Sequence, residues 1–119
     1  MGNFRKLRVW QLAKELAVRI YKISKSASLL KDFGFRDQIQ RAAVSILSNI
    51  AEGDESGTNK VSIRYFYIAK GSIAELQTQI IIAHEIGYID YQIMESLVNE
   101  CDIISIMLNK IIKARLRNN

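Results

Sequence analysis

An all-α fold is predicted by this sequence: a single-domain, antiparallel, up-and-down four-helix bundle. Two observations carry that expectation. No proline occurs in the 119 residues, so no pyrrolidine ring interrupts a helix from within. Apolar residues also recur at three- and four-residue steps over four long stretches, separated by short polar turns. With 49% apolar and 24% charged residues, the chain has enough apolar surface for a core and too much for disorder.

The first helix is expected over about 7–27. Val9, Ala13, Leu16, Ala17, Ile20, Ser24 and Ala27 fall on one stripe. Ser26, Ser28 and the Phe33-Gly34-Phe35 run then break the pattern. The second helix is expected over about 36–53, with Ile39, Ala42, Ala43, Ile46, Leu47 and Ile50 as its apolar face. Gly53 and the run Asp54-Glu55-Ser56-Gly57 mark its end. Thr58 is placed to cap a third helix over about 59–86, and Gly87 to terminate it. Asp90 caps a fourth over about 91–116, with Ile93, Leu97, Cys101, Ile104, Leu108 and Ile111 as its stripe. Connections this short favour antiparallel neighbours.

The third and fourth helices carry more apolar surface than one central seam requires. Tyr65, Ile68, Ile81, Ile82, Ile106 and Met107 widen their stripes. A soluble monomer avoids so large an exposed patch, so self-association through these helices is expected. Gly71 lies mid-helix, where it costs roughly 1 kcal/mol relative to alanine. Tight packing beside Ser72 is the reading that offsets this cost.

No apolar run approaches the roughly 20 residues of a membrane span, and the basic start MGNFRKLRVW lacks the apolar core of a signal peptide. A single cysteine, Cys101, cannot close an internal disulfide. A cytoplasmic protein with no membrane association is the expectation. No cofactor or metal is expected either: His84 is the one histidine, and the Glu-x-x-His pairs of a di-iron bundle are missing because position 81 is Ile. Phosphate-cradling glycine loops and an arrangement of serine, histidine and acid typical of hydrolases are likewise missing. The expectation is therefore a non-enzymatic protein with no catalytic residue.

Two polar features stand out. Gln38, Arg41, Ser45, Asn49 and Glu52 share one face of the second helix, and Ser72, Glu75 and Gln79 form a comparable line on the third. Antiparallel packing would set Arg41 opposite Glu75, with Ser45 and Asn49 near Ser72. This network reads either as a register-setting device or as a binding face. The second feature is charge. The net charge is +5, and residues 1–27 alone carry seven basic groups and one acid. In an up-and-down bundle the start of the first helix and the end of the fourth share a pole. That pole gathers Arg5, Lys6 and Arg8 with Lys110, Lys113, Arg115 and Arg117, a patch suited to nucleic-acid phosphates. Asp54 and Glu55 reach the same pole and offer these cations an internal alternative.

The run QIQRAAVSILSNIAEG, Gln38 to Gly53, resembles the signature of the 23S rRNA-intervening-sequence protein family, also called simply four-helix-bundle proteins. The stretch FRKLRVWQLAKELAVRIYKIS from Phe4 is similar to that family's opening helix. YFYIAKGSIAELQTQIIIAHEIGYI, Tyr65 to Ile89, is similar to its third helix and the following turn. The resemblance implies a ring-like oligomer, typically a homopentamer, of unestablished biochemical role. A protein of similar fold, the accessory variability determinant of diversity-generating retroelements, is a basic pentamer that binds nucleic acid and a reverse transcriptase. That likeness favours RNA or DNA as a partner, by analogy of fold. A second protein as partner, with no nucleic acid, is the competing expectation. Where the family commonly has proline in its Ser-Ile-x-Ser-Asn segment, this chain has Leu47, which predicts a straighter second helix.

Overall fold

A computed structural model describes residues 2–118. It is all-helical, with no strand among the described residues. A 3-10 turn, Phe4–Lys6, leads into α1 (Arg8–Ile23), α2 (Ala27–Lys31), α3 (Phe33–Glu55), α4 (Asn59–Glu85) and α5 (Tyr91–Arg117). The molecule measures 47 × 21 × 20 Å, the length of its longest helices at 1.5 Å per residue plus their turns.

The first predicted helix is shorter than expected. Ser24 Oγ donates to the Ile20 carbonyl at 2.7 Å, a back-bond that competes with continuation of the helix. Ser26 then adopts extended backbone and starts the single turn of α2, whose Leu29 is buried. The second predicted helix is longer at both ends. Asp32 caps it, accepting from the Phe35 amide at 3.2 Å, so Phe33-Gly34-Phe35 is its first turn and not a break. The helix passes through Leu47 and Gly53 without interruption. Gly53 has a packing role there: a Cβ on it would lie 2.6 Å from Cε1 of Phe66.

The remaining ends follow their caps. Thr58 accepts from Val61 N at 3.3 Å and opens α4; Asp90 accepts from Ile93 N at 2.8 Å and opens α5. Between them Gly87 takes φ 84°, and the Tyr88 amide reaches the Ala83 carbonyl at 2.8 Å. That pair of features is the Schellman ending of α4, and it needs a residue without Cβ at position 87.

The long helices meet in a closed cycle: α1 with α3, α3 with α4, α4 with α5, and α5 with α1. Residue numbers run in opposite senses across the two seams that α4 makes. Ser45 meets Ser72 and Gly53 meets Ser62 between α3 and α4. Lys70 meets Asn109 and Gln77 meets Asp102 between α4 and α5. The core runs from Val9, Leu16 and Ile20 of α1 through Ile46, Ile50, Phe66, Ile73 and Leu76 to Leu97, Ile104 and Leu108. Burying one such side chain stabilises the fold by about 1.5–3 kcal/mol. Of the predicted stripes, Ala27 is exposed beyond the end of α1, and Leu47, Ile93 and Ile111 are half-buried. Gly71 departs from its expected role: it is exposed, and a Cβ there would meet nothing within 4 Å. Among the described residues no helix is long and apolar enough to cross a membrane.

Candidate nucleic-acid interface

The two ends of the chain come together at one pole. Gln11 Nε2 donates to the Arg5 carbonyl at 3.0 Å and ties the 3-10 turn to α1. Phe4 packs edge-on against Trp10 at 5.1 Å between centroids. On the adjoining seam, Leu7, Arg8, Val9, Met107, Lys110 and Ile111 line a groove of about 340 Å³. Arg8 and Lys110, far apart in sequence, therefore flank the same surface. Arg5, Lys6, Lys113 and Arg117 are exposed near the same termini. Arg8 lies 3.9 Å from Glu15, with both side chains more than half exposed, a pairing that holds it weakly.

Arg115 belongs to the interior of this pole. Its side chain is 26% exposed. One guanidinium nitrogen donates to Ser62 Oγ, another lies 3.4 Å from Asp54 Oδ1, and Cζ lies 5.0 Å from the Phe66 ring centroid. Ser62 in turn donates to the Gly53 carbonyl at 2.7 Å. Arg115 thus joins the end of α5 to the α3–α4 turn, and of the predicted phosphate contacts it is the one committed to internal partners. Asp54 takes up the internal alternative that its sequence position offered.

The polar line of α3 divides. Ser45 Oγ and Ser72 Oγ are 2.8 Å apart across the α3–α4 seam. Asn49 Nδ2 donates to the Ser45 carbonyl at 2.8 Å and to Ser45 Oγ at 3.1 Å. Gln38, Arg41, Glu52 and Glu75 stay exposed. Arg41 does not reach Glu75; its Nε pairs with Asp37 Oδ2 at 3.0 Å on its own helix. The i,i+4 partner is available without crossing a seam, and a solvated pair costs neither side chain its hydration. Gln79, which continues the α4 line, is buried with Oε1 lacking a partner among the described residues.

Groups with chemical potential elsewhere are held in structural roles. His84 Nδ1 lies 3.2 Å from the Ile89 carbonyl and its ring meets Tyr91 edge-on at 5.8 Å. Cys101 is fully buried, and burial above all, then the nearby Asp102 and Glu100 charges, pushes its thiol up to about 12. Among the described residues no cluster of three or more His, Cys, Asp or Glu stands ready for a metal ion. A second groove went unnoticed in the sequence. Lys14, Val18, Lys22 and Lys25 are spaced four, four and three apart on or just beyond α1, and the first three turn outward opposite the core stripe. With Tyr21, Val44 and Leu47 they border a cleft of about 420 Å³ along the α1–α3 seam. That spacing was the available signal.

The family model described as 23S rRNA-intervening sequence protein matches residues 5–110. The chain belongs to the 23S rRNA-intervening sequence protein family. A solved structure from Bacteroides thetaiotaomicron, a protein of unknown function from the S23 ribosomal protein family, is similar at a TM-score of 0.80 and 30% identity. That likeness covers 88% of this chain and 98% of the other. No curated protein matches the chain. Membership in the 23S rRNA-intervening sequence family takes in the Arg8–Lys110 groove and both polar lines, and stops short of Lys113, Arg115 and Arg117.

Proposed function

We propose that this member of the family is an antiparallel, up-and-down four-helix bundle that assembles into a ring and serves as a non-enzymatic, nucleic-acid-associated scaffold in the cytoplasm. The observation that carries the binding half is the pairing of Arg8 and Lys110 on one groove, with Arg5, Lys6, Lys113 and Arg117 exposed about it. Clustered cations gain affinity by releasing counterions from a phosphate backbone. The self-assembly half is supported by Ile68, Ile81 and Ile82 on α4 and Ile103 and Ile106 on α5, all exposed in the single chain. Five subunits is the number that the family resemblance suggests. The likeness of fold favours RNA or DNA as the ligand class.

The test is a polarisation titration with labelled RNA and DNA at two salt concentrations. Arg8→Glu with Lys110→Glu and Lys113→Glu should abolish most of the binding. In single-strand RNA each lost phosphate contact should flatten the log affinity–log salt slope by about 0.7. Arg117→Glu alone should weaken binding modestly. Unchanged binding by the triple variant would remove this groove from consideration.

A second reading, an adaptor that binds another protein and no nucleic acid, is favoured by one observation: the lysine-rimmed apolar cleft on the α1–α3 seam.

A further inference from the structure

Most exposed apolar side chains of this protein lie on helix crests. Along the α1–α3 seam several of them lie side by side and border one open cleft. Val18 and Tyr21 from α1 face Val44 and Leu47 from α3. Val18 is 46% exposed, Tyr21 44% and Val44 39%, so water wets a continuous hydrocarbon strip. Lys14, Lys22 and Lys25 stand on the rim. None of them forms an ion pair among the described residues, and Lys14 Nζ lies 5.8 Å from the centroid of the Trp10 ring. Lysine stems extend such a floor while their ammonium groups stay in water. From Lys14 to Lys25 the cleft follows the α1 axis for about 16 Å, three helical turns.

We infer that this cleft is a docking groove for an acidic amphipathic helix of a partner protein. The groove's length suits three turns, with apolar anchors at i, i+4 and i+7 lying between the two ridges. Carboxylates flanking those anchors would meet the three rim ammoniums, and the charge match would fix orientation and speed the encounter. A nucleic acid fits less well. It would use the rim ammoniums alone: the floor between them offers the Tyr21 hydroxyl and otherwise hydrocarbon, which leaves Val18, Val44 and Leu47 without a partner. A second copy of this chain is the competing occupant: its α5 carries exposed Ile103 and Ile106 beside Asp102, and the oligomeric mass of the floor variants tests it. The groove is separate from the Arg8–Lys110 surface, so the inference stands or falls independently of nucleic-acid binding there.

The experiment uses the full chain and a fluorescein-labelled peptide of about 14 residues, with leucines at helical spacing and glutamates on both flanks. A scrambled peptide of identical composition is the control. Polarisation should report binding of the amphipathic peptide and at least about tenfold weaker binding of the scrambled one. Val18→Glu, at a half-exposed helical site, should lower the affinity at least about tenfold with unchanged circular dichroism. Val44→Glu on the opposite wall should do the same, and guards against a folding artefact in one variant. Lys14→Gln, Lys22→Gln and Lys25→Gln together should flatten the salt dependence. RNA binding should be unaffected by Val18→Glu. Equal binding of both peptides, no binding of either, or indifference to both floor variants would overturn the inference. So would a fall in oligomeric mass on Val18→Glu, which would make the groove a subunit contact, or a loss of RNA binding, which would make it part of the nucleic-acid surface.

Discussion

Asp32 shows how much a single side chain can do between two elements. It caps α3 through the Phe35 amide and accepts from the Tyr88 hydroxyl at 2.7 Å. Phe35 and Tyr88 add an edge-on contact at 5.9 Å. The Tyr88 hydrogen bond first, then the Phe35 amide, holds the Asp32 carboxyl below its ordinary value. Its contribution to stability is therefore fully present above the ordinary carboxylate pKa and is lost as pH falls through the lowered folded value. Denaturation midpoints measured from neutral pH into the acid range should drop for the wild type, and Asp32→Asn should remove part of that drop. A variant with the same acid dependence as wild type would show that other carboxylates control it. The Tyr88 hydroxyl, pushed up chiefly by the same hydrogen bond, adds the opposite limb: its contribution is present below the ordinary tyrosine value and fades as pH rises through the raised one. Arg115 makes a related point. Its sequence position among cations suggested a phosphate contact, whereas a buried acceptor in Asp54 and the face of Phe66 lie within its reach.

At the scale of elements, the helices were legible where one stripe and one cap agreed. Val9 to Ile20, Thr58, Gly87 and Asp90 each marked structure that the fold contains. Residues 28–35 resemble a loop in sequence, because glycine and serine fall there, yet most of them are helical, in α2 and the first turn of α3. Asp32 is a stronger start signal than Gly34 is a stop signal, since a capped first turn tolerates one exposed glycine. Gly71 was assigned a tight contact that the single chain does not make. Two outcomes separate its roles. If α4 is bare at that point, Gly71→Ala should raise stability by about 1 kcal/mol in urea denaturation. If a neighbouring subunit seats there, the same variant should lower the oligomeric mass instead. Sedimentation and denaturation on one sample distinguish them.

For the whole molecule, the distribution of exposed apolar groups is the dominant fact. Ile103 is 51% and Ile106 55% exposed on α5, and Ile81 and Ile82 extend α4 in the same way. Association that covers them would remove the exposed half of several such side chains from water, at about 1 kcal/mol each when burial is complete. Ile103→Glu with Ile106→Glu should reduce the mass in light scattering to that of a single subunit, with helical content retained. An unchanged mass would place the subunit contacts on other faces.

The sequence by itself determined the helical class, most of the core positions on α1, α3 and α5, and the caps at Thr58, Gly87 and Asp90, because periodicity and local hydrogen bonding act within a few residues of one another. It also determined that the basic residues cluster near the two termini. Tertiary structure alone decided which of those cations remain free. Arg115 turns inward because Asp54 and Phe66, distant in sequence, supply partners, while Arg8 and Lys110 meet across a seam. It likewise decided that Ser45, Asn49 and Ser72 join while Arg41 and Glu75 stay apart, and that α1 and α3 leave a cleft between them. A stripe of residues shows which face of a helix turns outward. Only the neighbouring helix shows whether that face is a crest or the wall of a groove.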